Sequence, residues 1–351
     1  MALNNNIKEK ISIEVIKTLV SQIENFPEVA YYNQNTPFHE AFFKNFSDKF
    51  EIIVSDVPSF ISLSSWLQGL NTTLGQTFFE NVAHILCNGE KREYTSKKIG
   101  NCKITQEQKN AVNTIITDLS TSAKTPSLRY EDSQLFQENN SSLVNAIDFS
   151  VDVFFEDLNS VTAIELKSVK PNSGEMRGEK VKILEGKAAL YRLFPGKEVR
   201  FYIGFPFDPT VNPANEDITG YNKPRFLNSI INMDKYFDNE ETLIASELWD
   251  FLSGTENTMN EILEIINTIS TTNFFTKYLL LRDNTKRNTL EYCIQLQEWN
   301  LFSEKLLIDH NDLLQLKLTT SNLIRKFNLT TFDSKGNYNW DRYDTLKRLI
   351  S

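Results

Sequence analysis

Charged residues interrupt a segment otherwise built for burial. The stretch "IDFSVDVFFEDLNSVTAIELKSV", Ile147 to Val169, reads as two β runs around the turn-rich "EDLNS". With the turn centred on Leu158 and Asn159, Val153 faces Ile164, and Asp152 faces Glu165. Directly opposed residues of an antiparallel pair share a face, with Cβ atoms about 5 Å apart. Lys167 falls on that face too, because side chains alternate with period two. Two carboxylates this close repel each other unless a cation lies between them. Hard oxygen donors with open positions suit Mg²⁺, which keeps several waters and accepts phosphate oxygens. A lysine beside them can orient or deprotonate a water, or stabilise charge on a phosphate. The chemistry this set is suited to is metal-assisted phosphodiester hydrolysis, with Asp152, Glu165 and Lys167 as catalytic groups. Asp148 competes for the aspartate role. With this turn it lies about 13 Å along the strand from Asp152, too far to share a metal with Glu165. A turn at Glu156–Asp157 would bring it back, but would bury Asn159 and Ser160 in a strand. The reading therefore favours Asp152 and leaves Asp148 as a strand-start cap or a supporting group.

The elements that must position this hairpin are legible around it. "GQTFFENVAHILCNG", Gly75 to Gly89, is a compact helix with Phe78, Phe79, Val82, Ala83, Ile85 and Leu86 on its apolar face and Asn88–Gly89 as its stop. "KREYTSKKIGNCKIT" reads as a turn with short strands, and "TQEQKNAVNTIITDLSTS" as a helix capped by Thr105, with Gln108 three residues on. After the hairpin, "KVKILEGKAALYRLF" gives a helix and "EVRFYIGFPFD" a strand. Helix, strand–turn–strand, helix, strand predicts an α/β (α+β) core with a mixed sheet. The first 74 residues read as helices, including an amphipathic stripe of Ile11, Val15, Leu19 and Ile23. From Glu241 onward the pattern is nearly all helical. The expected division is a helical N-terminal region (1–74), a core (75–235) and a helical C-terminal region (236–351) serving as scaffold or dimerisation surface.

The chain has 351 residues, 40% hydrophobic and 24% charged, the profile of a globular protein. No run of about 18 apolar residues is present, and the start "MALNNNIKEK" has no apolar leader core, so neither a membrane span nor a secretory signal is expected. Three cysteines and three histidines are scattered without metal-ligand spacing, which disfavours a zinc site and points to a reducing, cytoplasmic setting. The net charge of −9 argues against a general polyanion binder. Positive charge is nonetheless concentrated: Glu165 to Arg200 holds nine Lys/Arg against five Asp/Glu. On charge alone, that segment could equally be an ordinary solvated helix face.

Asp152, then twelve residues, then Glu165-Leu166-Lys167, with this order of helices and strands, resembles the motif of the PD-(D/E)XK nuclease superfamily. The longer run "IELKSVKPNSGEMRGEKVKILEGKAAL" is similar to type II restriction endonucleases, including a group that reads GGNCC. The resemblance covers Gly75 to Asp208. It departs from the pattern where Val151 stands in place of a proline before the aspartate. It implies a restriction-endonuclease-like core with Mg²⁺ as cofactor, held by Asp152 and Glu165. It also implies a further metal-ligating glutamate from an upstream helix, a place that Glu80 fills and Glu40 fits less well. The implied partner is double-stranded DNA, cut by a homodimer at a short site within a restriction–modification system.

The stretch "KPNSGEMRGEK" reads as a loop, with Pro171, Gly174 and Gly178 giving it backbone freedom. Arg177 could read guanine bidentately, and Glu175 or Glu179 could accept from cytosine. Lys170, Lys180, Lys182 and Lys187 are placed on phosphates, which position without specifying. "KREYTSKK", Lys91 to Lys98, is a second basic patch of the same kind. Two other functions fit the same residues. One is a repair or junction-resolving nuclease of the same superfamily, distinguished by a preference for branched or damaged DNA. The other is a catalytically inactive DNA-binding or interaction protein, distinguished by the absence of hydrolysis.

Overall fold

The computed structural model describes residues 2–26, 57–137, 141–167 and 175–350. Glu40 and Lys170 lie outside the described residues, as do Pro171 and Gly174. Two compact units are formed. One comprises residues 1–3 and 79–262, the other residues 4–78 and 263–351. The segment 236–262, grouped from sequence with the C-terminal region, sits in the first unit, and the two helical ends of the chain fall together in the second.

The first unit is built on a five-stranded mixed sheet. Its members are β1 (Glu90–Tyr94), β4 (Phe149–Glu156), β5 (Ser160–Leu166), β6 (Glu198–Phe205) and β7 (Thr242–Ile244), in that order across the sheet. β1 runs antiparallel to β4 and β4 to β5, whereas β5, β6 and β7 are mutually parallel. A separate antiparallel pair, β2 (Lys103–Thr105) and β3 (Leu143–Asn145), flanks this sheet. The expected α/β class with a helix-flanked mixed sheet is what the structure contains.

The hairpin register follows from local chemistry. Val153 pairs with Ile164, as the alternation predicts, and the next residues outward are Asp152 and Glu165. Asp157 closes the turn by accepting the Asn159 and Ser160 N–H groups at 2.7 and 2.8 Å and the Ser160 hydroxyl at 2.8 Å. An Asp side chain folded onto the backbone two and three residues ahead is a turn signal that needs no tertiary help. Asp148 precedes β4, is exposed, and accepts a hydrogen bond from Asn101, away from Glu165.

Five helices of this unit matter for the site. α3 (Phe79–Cys87) follows a π-helical turn at Leu74–Phe78 and packs against β4. Asn88, at φ 51°, ends it. Gly89 is required next, because a Cβ there would stand 2.9 Å from the Phe154 carbonyl oxygen. α4 (Gln106–Ser120) begins with the reciprocal Thr105–Gln108 cap that the sequence predicts. α6 (Glu175–Leu193) lies on one face of the sheet, where Gly186 lets it approach so closely that a Cβ would meet the Phe201 ring at 2.6 Å. It begins at Glu175 rather than Lys180, so Arg177, Gly178 and Glu179 are helical and the expected loop is shorter. α9 (Ser246–Ser253) covers the other face, with Phe251 against Phe155 and Tyr202. α5 (Leu128–Leu135), on the α6 side, carries Glu131 and Asp132. β7 and α5 are short elements that the periodicity does not reveal.

In the second unit, α1 (Asn5–Glu24) buries Ile11 and Val15 of the predicted stripe together with Ile16 and Val20, while Ile23 at its end is exposed. α2 (Val57–Thr73) and a series of short C-terminal helices complete it, ending in Trp340–Ile350. Its buried anchor is Arg342, whose guanidinium donates to both Glu304 carboxylate oxygens at 2.6 and 3.1 Å.

Candidate active site

Asp152 and Glu165 are buried, at 8% and 5% exposure, although both carry carboxylates. Burial of this kind requires compensation. For Asp152 it comes from the Leu166 N–H, which donates to Oδ2 at 3.0 Å, and from the Lys91 ammonium, 3.2 Å from Oδ1. Glu165 points to the α6 side of the sheet. Its Oε1 lies 3.0 Å from the Lys167 ammonium and 2.6 Å from that of Lys182. Glu179, one turn before Lys182 on α6, takes Lys167 at 2.8 Å and Lys182 at 3.5 Å. Two ammoniums and two carboxylates thus alternate in a ring, which holds Lys167 in place. The Lys167 N–H also donates to the Gly204 carbonyl at 2.9 Å, continuing the β5–β6 ladder one residue beyond β5.

Burial raises the Glu165 carboxyl above its ordinary range, and the Asp152 charge raises it further, against the opposing pull of Lys182 and Lys167. For Lys167 burial acts downward, but Glu165 and Glu179 outweigh it and leave the ammonium raised, hence charged. The remaining Glu165 oxygen, Oε2, is buried and makes no hydrogen bond. A buried carboxylate oxygen with no donor costs free energy until a cation or a water meets it.

Glu80, in the first turn of α3, lies close enough for the Asp152 charge to raise its carboxyl, after burial, which is the larger cause. Both its oxygens are engaged by Lys91, at 3.1 and 3.0 Å. His84, one turn further along α3, has its Nε2 2.7 Å from the Asp152 carbonyl oxygen and so fixes α3 to β4 beside the carboxylate. Among the described residues, no cluster of three or more His, Cys, Asp or Glu side chains is assembled for a metal. Two carboxylates from neighbouring strands and an undonated Oε2 are nevertheless hard oxygen donors of the kind Mg²⁺ takes, since that ion often uses one or two protein carboxylates and fills the rest with water and phosphate.

The residues expected to touch DNA divide into groups. Glu175 and Arg177 are exposed in the first turn of α6. Glu179 and Lys182 are turned to Glu165 and Lys167, so their place is beside the candidate chemistry. Lys180 and Lys187 require correction: both are internal. Lys180 is fully buried between Glu131 and Glu241, and Lys187, 1% exposed, is bonded to Asp132 at 2.7 Å. Neither can meet a phosphate, because both ammoniums are internal and opening the Lys180 pairs would strand the buried Glu131 and Glu241 carboxylates. The Glu179-x-x-Lys182 spacing was a usable signal for the ring, because residues three apart share a helix face. Lys91 offered no comparable signal, as its place depends on how β1 pairs with β4.

A helix-flanked mixed sheet that holds opposed carboxylates and lysines at adjacent strand ends is suited to phosphoryl chemistry. Residues 3–270 match the family described as HinfI, type II restriction endonuclease. The chain belongs to that family. It is 42% identical over 363 residues, covering 97% of this chain and 96% of the relative, to the type II restriction enzyme MjaII of Methanocaldococcus jannaschii.

Proposed function

We propose that the chain is a Mg²⁺-dependent, site-specific endodeoxyribonuclease of the PD-(D/E)XK type. It acts as a homodimer on double-stranded DNA, in the cytoplasm, within a restriction–modification system. The observation that supports this most strongly is the buried pair Asp152 and Glu165 on adjacent antiparallel strands, with Lys167 bonded to Glu165. Membership of a restriction endonuclease family favours an intact duplex site over branched or damaged DNA. The finer reading is a site of the form GGNCC. A five-base site with a free central position suits a two-fold dimer whose axis passes through that position.

Asp152 and Glu165 would hold the ion, with Glu80 as a further carboxylate nearby. The ion would supply Lewis-acid polarisation of the phosphate and a bound water of lowered pKa. Lys167 carries the ammonium that orients the attacking water or stabilises charge on the phosphate. Lys182 and Glu179 hold Lys167 and Glu165 in register. Arg177 and Glu175, exposed at the start of α6, are positioned for bases or backbone. No described helix is long and apolar enough to cross a membrane.

The test is incubation of the purified chain with unmodified phage DNA in Mg²⁺ or EDTA, beside folded Glu165→Ala and Lys167→Ala variants. Discrete fragments are expected in Mg²⁺ only, and from neither variant. Mapping the fragment ends gives the site. Cleavage that survives both substitutions would place the chemistry elsewhere.

A further inference from the structure

Lys91 reaches the candidate site from the edge of the sheet by way of an irregularity in pairing. Glu90 pairs with Phe154 but Arg92 pairs with Val151, so Lys91 stands opposite two residues, Asp152 and Val153. A bulge of this kind bends the strand and re-aims a side chain. Here it brings the Lys91 ammonium between the Glu80 carboxylate, at 3.1 and 3.0 Å, and Asp152 Oδ1, at 3.2 Å. Two carboxylates from different elements thereby share one cation supplied by the chain itself.

Lys91 differs from the other two ammoniums of the site. Lys167 and Lys182 are 20% and 17% exposed and each is shared between Glu165 and Glu179. The Lys91 side chain is 41% exposed, on an edge strand, with its long stem open to solvent. A lysine ammonium on a flexible four-carbon stem can change partner at little cost. It also sits in the basic stretch Lys91 to Lys98, where a DNA phosphate would find it.

We propose that Lys91 is an intrinsic cation that occupies the Glu80–Asp152 carboxylates in the DNA-free protein, competes there with a divalent metal ion, and transfers to a DNA phosphate when duplex binds. This rests on the reading of Asp152 and Glu80 as metal-binding groups. The consequence is linkage: metal and DNA each remove a competitor for the other, so the two bind with positive coupling. In the DNA-free protein the metal meets a neutralised pocket, and the phosphate that releases Lys91 also exposes the carboxylates.

Two measurements that need no turnover test it. The first is Mn²⁺ affinity of the DNA-free protein, from the electron spin resonance signal of free Mn²⁺. The second is affinity in EDTA for a labelled duplex carrying the mapped site, as a function of salt. Lys91→Met should bind Mn²⁺ about tenfold more tightly, within the usual range of such couplings. The same variant should bind duplex more weakly, with the slope of log K against log salt reduced by about one. Lys91→Arg should keep wild-type behaviour in both. Opposite changes in the two affinities cannot come from a damaged fold, which weakens both. Unchanged or weaker Mn²⁺ binding in Lys91→Met, or an undetectable ion in both proteins, overturns the competition. An unchanged salt slope overturns the transfer to phosphate. Asp152→Asn separates the underlying reading, since Mn²⁺ binding that survives it means that the metal is held elsewhere. If Lys91→Met does not fold, Lys91→Gln serves in its place.

Discussion

At the scale of single residues, the site is a problem of buried charge solved by alternating signs. Glu165 is protected by two ammoniums at once, and this redundancy has a measurable consequence. Removing Lys182 opens the ring but leaves Lys167 bonded to both Glu165 and Glu179. Removing Lys167 takes away the ammonium assigned to the water or phosphate. Steady-state cleavage should therefore fall at least about 100-fold in Lys167→Ala, the scale of a lost acid–base or charge-stabilising group. The loss in Lys182→Ala should be clearly smaller. Equal losses would mean that Lys182 shares the chemistry directly instead of holding Lys167 and Glu165 in place.

At the scale of elements, α6 divides its lysines between two tasks. Glu179 and Lys182 face the site, while Lys180 and Lys187 turn inward to the carboxylates of Glu131, Glu241 and Asp132. The buried triad has a pH signature. Burial, and then the Glu241 charge, push the Glu131 carboxyl from 4.5 up to about 7. A carboxyl whose folded pKa is raised holds its proton more tightly folded than unfolded. The stability this contributes is complete below pH 4.5 and is lost as pH rises through about 7. Thermal unfolding should show the unit that contains α6 losing stability between about pH 4.5 and pH 7. Glu131→Gln, which cannot ionise, should flatten that decline. The same helix is sensitive to volume at Gly186. Gly186→Ala must displace either the Phe201 ring or α6 itself, and should cost about 1–3 kcal/mol, read as a lower denaturation midpoint with an unchanged slope.

At the scale of the whole molecule, the second unit is made from both ends of the chain, and its stability depends on contacts between them. Glu9 of α1 accepts from the Ser303 N–H and hydroxyl, both at 2.7 Å, and the Arg342–Glu304 pair is almost wholly buried. Arg342→Met would leave the buried Glu304 carboxylate without its two guanidinium hydrogen bonds, with only Arg287, 4.0 Å from Oε1, to offset its charge. It should destabilise this unit by about 3–5 kcal/mol, seen in calorimetry as an earlier transition for that unit. The proposed homodimer makes a separate demand: sedimentation equilibrium should report twice the 40.5 kDa chain mass. A monomer that still cuts both strands would exclude the two-fold reading.

Much of the candidate site is legible in the sequence because it is local. Alternation and an Asp-closed turn determine which residues of one hairpin oppose each other, so Asp152, Glu165 and their register follow from about twenty consecutive residues. The Thr105–Gln108 cap is legible for the same reason, since its partners are three residues apart. Charge counts along α6 were a poorer guide. They located a basic segment, but which of its lysines are exposed depends on the side of the helix pressed to the sheet, and hence on Phe149 and Phe201 meeting Gly186. β7 and the two-unit division are invisible to periodicity because a three-residue strand and a contact between chain ends carry no repeating pattern. Local alternation already brings together the candidate chemistry, two carboxylates and a lysine of one hairpin. Which cations reach them is set by packing across the whole sheet, because Lys91 and Lys182 arrive from an edge strand and a helix.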